Sequence, residues 1–339
     1  MGSDLTLLLS EKDVALAVKL VDVIDGVEDG FRQYGLGLAQ TLPRREVRIL
    51  RKELPHADVR MTFVSQGLAF LEQSQVVAVQ HVLNFPEKRT PGMRCVNLLI
   101  SSQDGSVMAV VDSVPLLRMR TGAAGAVGAR YLSRKNSKIA SIVGSGRQGR
   151  IALRFLHQVR KIETAYAYSL VPKEADDFSK EMGAELGIEV LPSNSIEKMV
   201  RDADIVITTT QSTSPIVKAE WLSPGVHINI VGADDPPKIE LEGVALKRAN
   251  KLVIAGDDCH LAGQLRIPEA QGIISKNDVY GTIGEIVAGL KPGRESEDEI
   301  TIFHSPGLTL QDGAAVYKVY QKAKELGLGV KIPDPLNYF

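Results

Sequence analysis

Cysteine is scarce in this chain, with only Cys95 and Cys259 among 339 residues. The two lie far apart, so they offer neither a metal-ligand spacing nor a disulfide framework. Both read as small core residues, and no metal site is expected. Long apolar runs are missing too: none reaches the roughly 18 residues that a bilayer crossing needs. The opening "MGSDLTLLLSEKDV" has no basic region of the kind that starts a signal peptide. A cytoplasmic location without a membrane partner is therefore expected. Neither charge is in excess, with 40 Lys and Arg against 41 Asp and Glu and a net charge of -1. Such a surface does not neutralise phosphates in bulk, and nucleic acid is not an expected partner. Internal repeats, low-complexity tracts and long linkers are absent as well.

What is present is enough chain for two domains. A helix is expected from Ser10, with Asp13 as its capping-box partner and Val14, Val18, Val21 and Phe31 as a broken apolar stripe. After Pro43 the pattern turns to short β-branched strands, "VRMTFVS", "VVAVQHVL" and "RCVNLLIS". Asp104-Gly105 joins the last of these to "SVMAVVD" as a hairpin. Asp112 or Ser113 then caps a helix with Pro115 in its first turn, running through "LLRMRTGAAGAVGARYL". From Lys138 onward strands and helices alternate, through "KIASIV", "RIALRFLHQV", "TAYAYS", "DIVITTT", "HINIVG" and "KLVIA". That order implies a parallel, doubly wound α/β sheet. A last helix follows about Asp312.

The segment "IVGSGRQG", residues 142–149, carries Gly144, Gly146 and Gly149 in G-x-G-x-x-G spacing, with Arg147 and Gln148 between the last two. A strand ends at Val143 and a helix begins near Gly149, which is the context a dinucleotide loop requires. The first glycine permits the tight turn, the second lets backbone approach a pyrophosphate, and the third lets helix pack on strand. At the end of the second strand the residue aligned with the usual ribose-binding acid is Ser169. No carboxylate stands there and Lys173 is near, so of NAD and NADP the pattern leans slightly to NADP.

Four more segments, "LPRRE", "LRMRTGAA", "VGADDPPKIEL" and "TIFHSPGLTLQD", follow one another around the glycine loop across nearly the whole chain. In that order the sequence resembles the ornithine cyclodeaminase/mu-crystallin family. The resemblance implies a Rossmann domain, residues 115–310, and a mainly β substrate and dimerisation lobe built from both chain ends, residues 1–114 completed by 311–339. It also implies a homodimer. Arg120 matches an arginine that grips a substrate carboxylate, and Arg45 a second such contact, with Arg44 as the register alternative. Thr121, Gly122, Ala123 and Ala124 are read as small residues that admit cofactor or substrate. Asp234, or its neighbour Asp235, matches the aspartate that exchanges a proton with the substrate nitrogen. Lys238 and Glu240 are read as loop structure. Thr208, Thr209 and Thr210 are placed beside the cofactor ribose, Ser305 and Gly307 near the nicotinamide, and Asp312 as the cap of the last helix. Where the family has a lysine on the second β segment, this chain has Gln80, which keeps hydrogen bonding but loses the charge. His81 falls on the opposite strand face.

The function these residues imply is NAD(P)-dependent hydride transfer at the α-carbon of an amino acid or cyclic imine. Two forms fit, ornithine or lysine cyclodeamination and reduction of a ketimine or imino acid. The alternative is a non-catalytic binder of NADPH and a small ligand, as in mu-crystallin. The substrate side-chain pocket is expected to include Met61 and Phe63.

Overall fold

The computed structural model describes residues 5–49, 62–84 and 93–335. The chain divides into two compact units, Met1–Arg120 with Leu308–Phe339, and Thr121–Gly307. The first unit opens on β1 (Leu5–Leu9) and α1 (Glu11–Ala17). Ser10 caps α1, its backbone N–H donating to Asp13 Oδ2 at 2.9 Å while the Asp13 N–H donates back to Ser10 Oγ at 3.3 Å. The expected single helix is broken after Ala17. Val18 is extended, and Asp22 accepts the Lys19 N–H at 2.8 Å, so a second helix, α2 (Leu20–Gly35), starts afresh.

Five strands then form an antiparallel meander: β2 (Ala39–Ile49), β3 (Thr62–Leu71), β4 (Val76–Asn84), β5 (Met93–Ser101) and β6 (Val107–Asp112). Gly105 turns the β5–β6 hairpin at φ +76°, a conformation that costs glycine nothing. β1 runs parallel to β6, and the last strand, Val330–Pro333, pairs antiparallel with β1 to complete a seven-stranded sheet. Strand alternation sets its two faces: Val76, Ala78, Gln80 and Val82 of β4 are buried, while Val77, Val79 and His81 are partly exposed. The buried face packs on the C-terminal helix, Thr309–Leu326, where Gly313 lies close enough to Ala78 that a Cβ would sit 2.8 Å away.

Helix α3 (Val114–Leu132) leads from the first unit into the second. Besides the ligand approach expected of them, its small residues have a structural use. A Cβ on Gly122 would lie 2.7 Å from Ile151 and Phe155, so a second helix packs closely at this glycine, and Ala123 and Ala124 are fully buried.

That helix is α4 (Arg147–Val159), and it belongs to a unit with an eight-stranded, all-parallel sheet. The strands are β7 (Ile139–Val143), β8 (Thr164–Tyr168), β9 (Glu189–Pro192), β10 (Ile205–Thr208), β11 (His227–Ile230), β12 (Lys251–Ile254), β13 (Gly281–Thr282) and β14 (Thr301–His304). They lie in the order β13-β12-β14-β11-β10-β7-β8-β9. On one side α4 and α5 (Pro172–Leu186) cover the sheet with Leu153, Leu156, Phe178 and Met182. Between β7 and β10 the chain order reverses, the switch point at whose carboxyl edge open α/β sheets bind ligands. No helix among the described residues is long and apolar enough to cross a membrane.

Candidate active site

At that switch point the glycine loop has the geometry its spacing requires. Gly144 sits at φ +110°, and a Cβ on it would approach Thr209 Oγ1 to 2.7 Å. Gly149 packs so tightly that a Cβ would lie 2.2 Å from the Gly144 carbonyl oxygen, whereas the Cβ position of Gly146 meets nothing within 4 Å. Gly146 is also the N-cap of α4, so open space lies at a helix N-terminus, where free N–H groups and the dipole favour an anion. Ser145 Oγ and Gln148 Nε2 are buried in this loop without hydrogen-bond partners, and Arg147 is exposed on the first turn of α4. These residues fit a dinucleotide pyrophosphate.

The threonines at the end of β10 make hydrogen bonds within their own unit. Thr209 Oγ1 donates to the Gly144 carbonyl at 2.8 Å and so fastens the loop to β10. Glu240 is fully buried and accepts from Thr208 Oγ1, Thr210 N, Thr210 Oγ1 and Gly232 N, at 2.8, 2.5, 2.8 and 2.8 Å. Burial raises its pKa, and these four donors oppose the rise. Thr208 is itself wholly buried and turned to Glu240, so its side chain serves the loop instead of contacting a cofactor. Glu240→Ala would strand four donors and is expected to cost about 3 kcal/mol of stability, read as a lowered midpoint in urea unfolding. A midpoint within error of the parent would remove Glu240 from this role.

Asp234 follows β11 on a segment with a cis Pro236-Pro237 bond. Its side chain is 45% exposed, and Lys238 Nζ donates to its Oδ1 at 2.5 Å. Ser305 is buried just beyond β14, its N–H donating to the Ile230 carbonyl at 3.1 Å, and Gly307 turns the chain at φ +101°. Before them stands a residue the sequence reading passed over. His304 is fully buried with both ring nitrogens unpartnered, and burial pushes its pKa down to about 4, so the ring is neutral. Cys95 and Cys259 are buried thiols with pKa values pushed up to about 12, chiefly by desolvation.

In the first unit the chemistry gathers around one carboxylate. Arg120 is only 4% exposed, its Nε donating to Asp312 Oδ1 at 2.8 Å and its Nη1 to Gln311 Oε1 at 3.2 Å. Arg44 Nη2 donates to the other oxygen, Asp312 Oδ2, at 2.6 Å. Asp312 is therefore no helix cap. Leu308 is the N-cap, and Asp312 lies inside the first turn, bridging two guanidinium groups. Two cations and one anion leave this trio a single positive charge. Of the register alternatives, Arg44 is the one turned inward. The β2–β3 pairing slips between Leu42 and Arg45, which breaks the alternation and leaves Arg45 exposed.

Beside the trio, Gly67, Gln80 and Asn97 stand opposite one another across β3, β4 and β5. A Cβ on Gly67 would lie 2.0 Å from Thr309 Oγ1, so the start of the C-terminal helix sits over this row. Gln80 is 1% exposed with both amide atoms unpartnered, as are Asn97 Oδ1, Thr309 Oγ1 and Arg44 Nε. Each buried orphan costs about 1–3 kcal/mol, and a cluster of them is what a polar ligand satisfies. His81 points to the other face, as alternation requires. Met61 lies outside the described residues, and the Phe63 side chain likewise.

The family model for the ornithine cyclodeaminase/mu-crystallin family matches residues 5–327. The chain belongs to that family. It is 36% identical over 331 residues to an alanine dehydrogenase of Archaeoglobus fulgidus, covering 96% of this chain and 98% of the relative. The fold matches Delta(1)-pyrroline-2-carboxylate reductase of Thermococcus litoralis in complex with NADH and L-proline, with TM-score 0.86, 34% identity, and 96% and 100% of the two chains covered. It also matches an archaeal alanine dehydrogenase dimer with bound NAD, with TM-score 0.86, 35% identity, and 99% and 100% covered. Relatives of this chain are named as dehydrogenases, reductases and a cyclodeaminase, and this chain is an enzyme of that kind. Its fold is the doubly wound sheet with a separate mainly β unit that the sequence implied.

Proposed function

We propose that this enzyme reduces a small α-imino monocarboxylate to the α-amino acid, and catalyses the reverse oxidation, with a nicotinamide dinucleotide. The observation that carries the proposal is the Arg44–Asp312–Arg120 bridge beside the unpartnered Gln80, Asn97 and Thr309. The two guanidinium forks, already aligned by Asp312, bind the substrate carboxylate through charge-assisted bonds. One surplus positive charge suits one carboxylate. Gln80 and Asn97 hydrogen-bond the substrate without adding charge. When bound at Ser145, Gly146, Arg147 and Gln148, the dinucleotide supplies or accepts the hydride at the α-carbon. Asp234 gives the substrate nitrogen its proton during reduction and takes one from the ammonium during oxidation. The relatives named for pyrroline-2-carboxylate reduction and alanine oxidation support the same reading.

The test is absorbance of the reduced dinucleotide with pyrroline-2-carboxylate, piperideine-2-carboxylate, and pyruvate with ammonia. Turnover of at least one is expected, and inertness toward all three would overturn the proposal. Arg44 and Arg45 separate within the same assay. Arg44→Met is expected to raise KM about tenfold or more, and Arg45→Met to leave it within about twofold. The reverse ranking would return the role to Arg45.

We infer further that the enzyme is a homodimer joined through the second face of the seven-stranded sheet. Leu68, Phe70, Val77, Val79, Leu98 and Ile100 put apolar side chains there, partly exposed within one chain. A relative of the same fold is a dimer. Val79→Lys is expected to halve the mass found by light scattering, since a buried unpaired charge disfavours association. A parent protein that is already monomeric would contradict the dimer.

A further inference from the structure

We infer that Glu174 makes this enzyme select NAD(H) over NADP(H), an inference that rests on the proposed dinucleotide site. In a Rossmann sheet the residue beyond the second strand meets the adenosine ribose, and an acid there binds its 2′-hydroxyl. Here that strand is β8, whose last carbonyl, on Tyr168, accepts from Gly144 N at 3.0 Å and Ser145 N at 3.2 Å. The strand end and the glycine loop are thus in contact. The next residue is Ser169, which has no carboxylate of its own but holds one. Its Oγ donates to Glu174 Oε2 at 2.8 Å, and Val171 N donates to Ser169 Oγ at 3.3 Å. The acid has moved from the strand end to the first turn of α5 and is tied back to the strand end by one hydrogen bond.

A cavity of about 740 Å³ opens at this place, lined in part by Ser169, Leu170, Ser193 and Asn194. Leu170 is 89% exposed, an apolar surface of the kind an adenine ring covers. With Oε2 engaged by Ser169, Oε1 of Glu174 remains for a ribose hydroxyl.

A 2′-phosphate would meet a different field. Lys173, the cation that favoured NADP in the sequence, is paired with Asp177 at 2.7 and 3.0 Å. Arg150 is paired with Glu181 at 2.6 Å. Among the charged residues lining the cavity are Asp176, Asp202 and Lys198, and Glu174 adds a further negative charge at its rim. The N-terminus of α5, which would otherwise attract phosphate, already has Glu174 in its first turn. Arg147 opens α4 directly after Gly146 and is placed for the pyrophosphate. The slight lean to NADP drawn from Ser169 and Lys173 is therefore reversed.

The experiment is calorimetric titration of nucleotide-free protein with NADH and, separately, NADPH, without substrate. NADH is expected to bind about tenfold or more tightly than NADPH, the gap expected of a carboxylate that favours a hydroxyl and repels a phosphate. Glu174→Gln is expected to close that gap to about threefold or less, with an unchanged melting temperature because the side chain is exposed. NADPH binding as tightly as NADH to the parent, or an unchanged ratio in Glu174→Gln, would overturn the assignment. Failure of both nucleotides to bind at all would instead remove the dinucleotide site on which it rests.

Discussion

Asp234→Asn is expected to lower turnover by about 10²- to 10⁴-fold while leaving dinucleotide affinity nearly unchanged. The asparagine keeps the shape and one acceptor oxygen but cannot carry a proton between solvent and the substrate nitrogen. Asp234 is well suited to that exchange because it is half in solvent, at the carboxyl edge of the parallel sheet, with Lys238 Nζ 2.5 Å away to fix its orientation. The glycine loop is a separate device, built from β7, α4 and Thr209, so the nucleotide dissociation constant should not register the change. Two measurements on one preparation decide the matter, nucleotide titration and steady-state rate. Parent-like turnover would move the proton to another group, and Asp235 would be the next to replace.

The second large effect is expected at Arg120, and it divides into stability and binding. Arg120→Ala would leave Asp312 buried with Arg44 as its one guanidinium partner, at a cost of about 3–5 kcal/mol, so a loss of activity in that variant alone would be ambiguous. Arg120→Lys keeps the positive charge and loses the planar fork. It is expected to retain a folded protein and to lower kcat/KM for the imino acid about 100-fold, mostly through KM. An unchanged KM with a lowered melting temperature would show that Arg120 serves Asp312 and not the substrate.

How much of this was legible in the sequence depends on how local each cause is. The glycine loop was legible because backbone geometry dictates residue type within eight positions, 142–149. Positive φ at Gly144 and the close contact at Gly149 each forbid a side chain, whatever the rest of the chain does. The Ser10 cap and the Asp104-Gly105 hairpin were legible for the same reason. The Asp312 bridge was not, because it joins residues 268 and 192 positions apart, and an aspartate near a helix start looks like a cap until its partners are seen. The choice of Arg44 over Arg45 turns on one slip in strand register, which flips every neighbouring side chain and leaves no mark in composition.

Two further readings show how one residue type can serve two causes. In Thr-Gly-Ala-Ala, residues 121–124, smallness suits ligand approach and helix packing alike, and the close contacts at Gly122 with Ile151 and Phe155 show that packing is a cause at that position. Ser169 in place of an acid pointed to NADP as long as only the strand end was considered. Glu174 lies five positions on, across a turn that strand and helix patterns do not describe, and its bond to Ser169 brings a carboxylate to the strand end, on which the proposed preference for NAD(H) rests. Asn97 and Thr309 had no sequence signal of their own. Their unpartnered polar atoms become conspicuous only once burial is known.

The most direct measurement compares pyrroline-2-carboxylate with its carboxamide, pyrroline-2-carboxamide, as substrates for the parent protein with NADH. The two differ at the group that Arg44 and Arg120 are proposed to hold, while the reducible C=N bond is the same. The acid is expected to be turned over, and the amide to have a kcat/KM lower by about 100-fold or more, the loss of charge-assisted hydrogen bonds to the guanidinium pair. Equal turnover of acid and amide would contradict carboxylate recognition by that pair.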